Sequence, residues 1–449
     1  RMKKGIFLMI CWLLLAQMAA AEENILYPIL ENDLWGYMNR QGETVIEPQY
    51  DLAEPFGEDG FAVVGKKENK KVRYGLIDRE GNTVLPLIYV DLFGENGVYN
   101  LTGPDENGQI QEGFYNSRNG FFQPPLYDEV YLNEHFVQVV IGDNYGFVRC
   151  ENGEIAIEVD LPWTPYEVGE QEGYLFLTEG SESGQEGITC RLLDENLQDI
   201  PLPEGLMPMG WAKDGVVPVE NVAPEENEQN VSAGVHMEMG LARVDGTVLH
   251  EAEFDYVHEA HNGVVPFWEK DLCGHMDLEG NVIVPAKYEV MAGGGPGYWF
   301  YGDYALIDEE DRYRYVVIDR QGNEVFVADR FTDRGMLWMD VITEDNLTEY
   351  SWFDDDSNLS GLMKFEDGQA RYLTEPVFES VSLWNGENGL YPAKQNGLYG
   401  FIDENGQWVL EPEWDDADGF ENGLAWVEKD CKAAYIDREG NIIWQETRE

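Results

Sequence analysis

The sequence predicts an all-β chain of tandem β-hairpin, short-strand repeats forming an open or propeller-like array. Three observations carry that expectation. One eight-residue phrase recurs, its copies are about 34 to 39 residues apart, and short apolar runs alternate with turn residues along the chain. The clearest copies run from Trp35 to Gly42, from Tyr74 to Gly81 and from Tyr399 to Gly406. Gly36 to Gly75 is 39 residues, Gly75 to Gly113 is 38, Gly240 to Gly274 is 34 and Gly361 to Gly400 is 39. Weaker copies start near Gly146, Gly187 and Val316, and a last half copy, Ala434 to Asn441, closes a series of about ten full units and one partial unit.

Each unit contains three recognisable parts. First comes an aromatic or other apolar residue followed by Gly: Trp35-Gly36, Tyr74-Gly75, Tyr399-Gly400. A glycine inside a strand marks a place where a neighbouring backbone or ring approaches closely, and the aromatic is read as packing between units. Next stands Asp-x-x-Gly, as in Asp78 to Gly81 and Asp403 to Gly406. Asp at the head of a type I turn accepts from backbone amides ahead of it, and Gly at the end supplies the positive φ of a G1 bulge, so the phrase predicts a hairpin turn. The third part is a β-rich run through Pro to an aromatic and an acid, as in Thr44 to Asp51 and Trp408 to Asp415.

Flanking runs of three to five residues rich in Val, Ile, Leu and aromatics read as strands. No stretch after the N-terminal segment keeps a 3.6-residue apolar period over three turns, which predicts very little helix. One hairpin cannot bury its apolar face alone, so stacked neighbours must supply the core. Ten units exceed the usual four to eight propeller blades, which favours an open array or two sub-arrays over a single closed ring.

The order hydrophobic-Gly, Asp-x-x-Gly, Pro and Tyr-Asp resembles the WG-repeat family, also called KWG repeats, after the pair that stands here as Trp35-Gly36. Tyr replaces the Trp at Tyr74, Tyr145 and Tyr399. The resemblance implies a β-rich array found mostly in bacterial proteins, often secreted or surface-attached, with no common enzymatic activity and no stated ligand.

The sequence divides into residues 1–21, 22–200, 201–235 and 236–449. Lys3 and Lys4 precede the apolar run Ile6 to Ala16, and Ala19-Ala20-Ala21 ends in small residues, the pattern of a secretory signal cleaved after Ala21. That predicts a secreted or extracytoplasmic protein, at a bacterial surface or in a periplasm, with no integral membrane segment after cleavage. Residues 22–200 and 236–449 carry the repeats, and 201–235, with the acidic run Glu220 to Glu228, reads as a degenerate linker or loop.

With 87 acidic against 29 basic residues the formal charge is −58, which repels nucleic acid and anionic lipid. Cys150, Cys190, Cys273 and Cys431 lack Cys-x-x-Cys spacing, so neither a zinc site nor a redox pair is expected, while disulfides and free thiols both remain open.

A convergent catalytic set is missing from the pattern. Gly180-Ser181-Glu182-Ser183-Gly184 has Glu where a serine-hydrolase elbow needs its nucleophile. His250, His258 and His261 lie near one another among Glu251, Glu253 and Glu259, but on a strand His258 and His261 would point to opposite faces. Asp354-Asp355-Asp356 reads as a solvated loop. No cofactor is expected, with calcium on the Asp-x-x-Gly turns as the alternative to purely structural turns.

Aromatics outside the repeat phrases include Trp163, Trp211, Trp268 and the group Tyr298-Trp299-Phe300-Tyr301, which follows a Gly-rich stretch. Rings on a β scaffold stack on sugars or anchor peptides, which makes 298–301 the candidate binding patch. The resulting expectation is a secreted, non-enzymatic scaffold that mediates protein or glycan interaction. The alternatives are an extracellular carboxylate-based glycoside hydrolase and a structural spacer without a specific ligand.

Overall fold

The computed structural model describes residues 25–447 except 96, 163–168, 180–188, 222–237, 290–298, 310–311 and 354–358. The described residues form eleven antiparallel sheets of three to five strands, each a simple meander in chain order. The sheets span residues 26–50, 52–89, 91–127, 129–162, 169–193, 206–254, 256–289, 304–329, 331–372, 380–414 and 416–445, and are numbered first to eleventh below. The named elements contain no α-helix among these residues and one short 3-10 turn, Leu383–Asn385. Within 201–235, Leu206–Pro208 and Val216–Asn221 are strands of the sixth sheet, paired onto Met239–Arg243.

The Asp-x-x-Gly phrase is the hairpin turn that the sequence predicts. In the second sheet Gly81 N donates to Asp78 O at 2.9 Å and Asp78 N to Asn82 O at 3.0 Å, closing a type I turn with a G1 bulge. Gly81 has φ +78°. The Asp78 carboxylate accepts from Glu80 N, Asn82 N and Asn82 Nδ2. Asp277, Asp319, Asp403 and Asp437 repeat the arrangement, and Asn39 fills the role in the first sheet.

The glycine after the aromatic answers to a second bulge. Trp35 pairs with Tyr50 and Tyr37 with Ile46, so the single residue Gly36 faces the three residues 47–49. The same one-against-three step occurs at Gly75, Gly113, Gly146, Gly240, Gly274 and Gly400. The bulged backbone presses onto the glycine: a Cβ on Gly400 would lie 2.6 Å from Leu410 O and 2.8 Å from Pro412 N. Where another residue holds the position the bulge is missing. Val316 pairs with Val327 in an unbroken run of Tyr315, Val316 and Val317, and Ala434 pairs with Gln445 directly beside the Tyr435 and Trp444 pair. Glycine is therefore required by the bulge and not by the strand as such.

Apolar faces of adjacent sheets bury one another. Tyr37, Ile46 and Tyr50 of the first sheet pack with Ala62, Val64 and Ile77 of the second. Leu76, Leu85 and Tyr89 of the second pack with Leu92, Tyr99 and Leu101 of the third. Similar clusters fill every following junction as far as the tenth and eleventh sheets, joined through Phe401, Trp414, Phe420 and Val427.

The ends of the chain also meet. Ile29 and Met38 of the first sheet share a cluster with Leu424 and Tyr435 of the eleventh, and the Tyr27 and Tyr435 rings lie 5.5 Å apart. Tyr27 OH donates to Asn422 O at 2.8 Å and Tyr435 OH to Pro28 O at 3.1 Å.

This junction repeats the internal ones. A Cβ on Gly81 would touch Ile46 of the preceding sheet, and a Cβ on Gly440 would touch Leu410 of its predecessor; in the same way a Cβ on Gly42 would meet Ile443 O of the last sheet. The array is thus an eleven-bladed propeller-like ring. The expectation of an open array or two sub-arrays is overturned, because four to eight is a count of familiar rings and not a physical limit: wide rings need only a small angle between neighbouring sheets.

Candidate functional site

The signature residues take part in the packing of the junctions and in the turns. Trp35, Tyr74 and Tyr399 sit half-buried at the margins of the junction clusters following their sheets. Lys394 Nζ lies 4.8 Å from the centre of the Tyr399 ring. The turn carboxylates Asp78 and Asp403 are occupied by backbone amides. Among the described residues no group of three or more His, Cys, Asp or Glu side chains is arranged to hold a metal ion.

The aromatic candidates divide. Tyr298 lies outside the described residues. Phe300 is a core residue, 1% exposed, packed with Val264, Val284, Tyr288 and Ile307 between the seventh and eighth sheets, with Arg320 across its ring at 5.5 Å. Burial of Phe300 anchors the segment, and its neighbours Trp299 and Tyr301 remain partly exposed on either side.

These two rings belong to a row that the spacing of the sequence hides. Trp299 lies 4.6 Å from His258 at 89° and 4.8 Å from His261 at 50°. His261 is 5.0 Å from Tyr301, and Tyr301 is 5.1 Å from Trp384 of the tenth sheet. At the other end His258 contacts Tyr256, itself 5.8 Å from Trp268. Tyr256 and Trp384, near the two ends, are 42% and 53% exposed, whereas Trp268 is 2% exposed and belongs to the interior.

His258 and His261 converge because they are not on a strand. The strand Tyr256–Val257 ends before them and the next, Val264–Glu269, begins after a turn, so strict alternation of faces does not apply. Backbone contacts fix the junction. Asn262 Nδ2 donates to Tyr301 O at 2.8 Å, His261 Nδ1 lies 3.3 Å from Phe300 O, and Arg320 donates to Asn262 O and Gly302 O. A carbonyl only accepts, so Nδ1 carries the proton and the neutral His261 ring keeps Nε2 as an acceptor.

Burial lowers the basicity of His258, as do the nearby charges of His261 and Lys213. Burial likewise lowers His261, with Lys213 and Arg320 acting in the same sense and Asp214 opposing. Both imidazoles are consequently biased toward the neutral form at pH 7. Asp214 Oδ2 is itself engaged by Gly263 N at 3.0 Å, and Glu259 Oε1 accepts from Trp211 N at 3.1 Å.

A family model described as the WG containing repeat matches residues 35–70, 74–99 and 399–432. These three segments are WG repeats. No curated protein matches it. Among solved structures, Kluyveromyces lactis Hsv2 with loop 6CD replaced by a Gly-Ser linker is 10% identical with TM-score 0.31, covering 64% of this chain and 97% of that one. The tricorn protease is 10% identical with TM-score 0.27, covering 91% of this chain and 49% of that one. The β-propeller domain of the Trilobed protease from Pyrococcus furiosus is 10% identical with TM-score 0.25, covering 78% and 99%.

Other candidates lie apart from the row. His250 pairs with Phe254 at 4.6 Å and lies 3.6 Å from Glu253. Cys150, Cys190 and Cys273 are buried thiols and Cys431 is an exposed one, none of them in a disulfide. Burial pushes the Cys190 thiol up to about 11 and raises Cys273 further. The strings 180–184 and 354–356 lie outside the described residues, as does residue 163. No helix among the described residues is long and apolar enough to cross a membrane.

The sequence missed Trp384 and Tyr256. Tyr256 lies in the short strand that opens its sheet and Trp384 in the 3-10 turn just after the strand that opens its own, and their link to Trp299 and Tyr301 shows only in the folded chain.

Proposed function

We propose that this protein is a non-enzymatic WG-repeat scaffold that binds a protein or glycan partner through the aromatic and imidazole row. The observation that carries the reading is the row itself, in which loops of the seventh, eighth and tenth sheets place Tyr256, Trp299, Tyr301 and Trp384 in sequence. Rings that present an apolar face with a polar edge are suited to recognition, and two of these are wet. A repeat ring provides the rigid support that such a surface needs. The extracytoplasmic setting suggested by Lys3, Lys4 and the apolar run after them belongs to the same reading.

The test is a screen of the folded protein against glycan and protein arrays, with Trp299→Ala alongside. Saturable binding that weakens at least tenfold in Trp299→Ala supports the scaffold, with folding of the variant confirmed by its melting curve. No saturable partner for the folded wild type would favour a spacer, and glycoside cleavage lost on changing one acidic residue would favour a hydrolase.

A further inference from the structure

Resting on that reading, we infer that the row is a binding site for an extended, uncharged glycan, with Trp384 and Tyr256 as outlying platforms and Trp299 with His261 between them. Four properties of the row point to this ligand class. The rings come from three sheets and follow one another at 4.6 to 5.9 Å, so the contacts run from ring to ring across the sheets and two exposed rings stand near the ends. A chain of pyranose rings offers several flat C–H faces, and the exposed Tyr256 and Trp384 rings are the platforms on which two of them could rest.

The second property is polar. Hydroxyl groups need both donors and acceptors beside the apolar face. His261 Nε2 offers the acceptor, since Nδ1 is turned to Phe300 O. The Lys213 ammonium, close enough to depress the basicity of both imidazoles, supplies the donor and has no ion-pair or hydrogen-bond partner among the described residues.

Charge is the third. The basic groups at the row, Lys213 and Arg320, are balanced by Asp214, Glu259 and Asp303. Beyond it lies a chain of formal charge −58. A polyanionic glycan would meet net repulsion there, while an uncharged one incurs none.

Depth is the fourth. The rings that could have formed an anchor pocket for a peptide side chain, Phe300 and Trp268, are packed into the interior at 1% and 2% exposure. A peptide would have little to insert, whereas a sugar chain needs only faces and edges.

Titration calorimetry of wild type with cello-, manno-, malto- and chitohexaose and their disaccharides tests the assignment. Trp384→Ala and Tyr256→Ala, both at exposed positions, are measured alongside, and polygalacturonate serves as the anionic comparison. Saturable binding of at least one neutral hexaose is expected, weakened tenfold or more by Trp384→Ala, with the corresponding disaccharide much less affected.

The inference is overturned if no neutral hexaose binds to folded protein at millimolar concentration, if both substitutions leave hexaose affinity unchanged, or if polygalacturonate binds more tightly than the neutral series. Should an array instead return a protein partner whose binding is lost in Trp299→Ala, the scaffold reading stands and the glycan assignment alone falls.

Discussion

Replacing Gly400 by Ala puts the origin of the repeat signature to a direct test. The added Cβ would sit 2.6 Å from Leu410 O, 2.8 Å from Pro412 N and 2.9 Å from Glu411 C. All three are backbone atoms of the facing bulge, so no side chain can rotate away. Ordinary van der Waals separation requires the bulge to retreat by roughly 0.7–1 Å. The retreat would strain the pairing of Tyr399 with Trp414 and of Phe401 with Leu410, and with it the junction in which Phe401 and Trp414 are buried.

Overpacking of this kind costs about 1–3 kcal/mol, and backbone opposition puts it at the upper end. The smaller conformational freedom of Ala in the unfolded chain returns about 0.4–1 kcal/mol. A net loss of about 2 kcal/mol is expected, read as a lower urea midpoint at unchanged slope by tryptophan fluorescence.

The reverse change at the unbulged position sharpens the test. Ala434→Gly removes a buried methyl and loosens a regular strand, so it too should destabilise, by about 1–2 kcal/mol. If glycine were merely tolerated in these strands, Gly400→Ala would be neutral or stabilising. That outcome would refute the bulge argument.

Two further predictions concern ring closure and pH. For Tyr27→Ala, Tyr435→Ala and the double variant, equilibrium unfolding should give a coupling energy of about 0.5–1.5 kcal/mol, since the rings touch across the junction of first and last sheets; zero coupling would mean that the ends do not meet in solution. Burial, helped by the charge of Asp340 and opposed by Ser360 and the Val381 backbone, pushes Glu349 up to about 7 from an ordinary 4.5. A raised folded-state value means that the stability from this group is fully present below pH 4.5 and is lost as pH rises through 7. Glu349→Gln should therefore flatten the decline in melting temperature between pH 5 and pH 8 relative to wild type, by the equivalent of about 2 kcal/mol after allowing for partial exposure. An unchanged pH profile would contradict the assignment.

What the sequence made legible follows from how local each interaction is. The Asp78 to Gly81 turn is a contact among five consecutive residues, so a short phrase specifies it fully. The glycine rule was half legible: Gly36, Gly75 and Gly400 announce close approach, but what approaches is a bulge ten or more residues later, and only the comparison with Val316 and Ala434 isolates it.

Ring closure depends on a small angle accumulated over eleven junctions, and no single unit encodes that angle. Ile29, Met38, Leu424 and Tyr435 nonetheless resemble any internal junction cluster, because each sheet presents the same kind of apolar face to its successor. The first sheet cannot distinguish a missing predecessor from the last sheet of its own chain, so a repeat of sufficient number closes by the contacts it already has. The aromatic row is the converse case. His258, Trp299 and Trp384 are separated by 41 and 85 residues and meet only because the ring stacks their sheets. Repetition therefore makes the scaffold readable while concealing the aromatic row, which is built where particular units depart from the shared phrase.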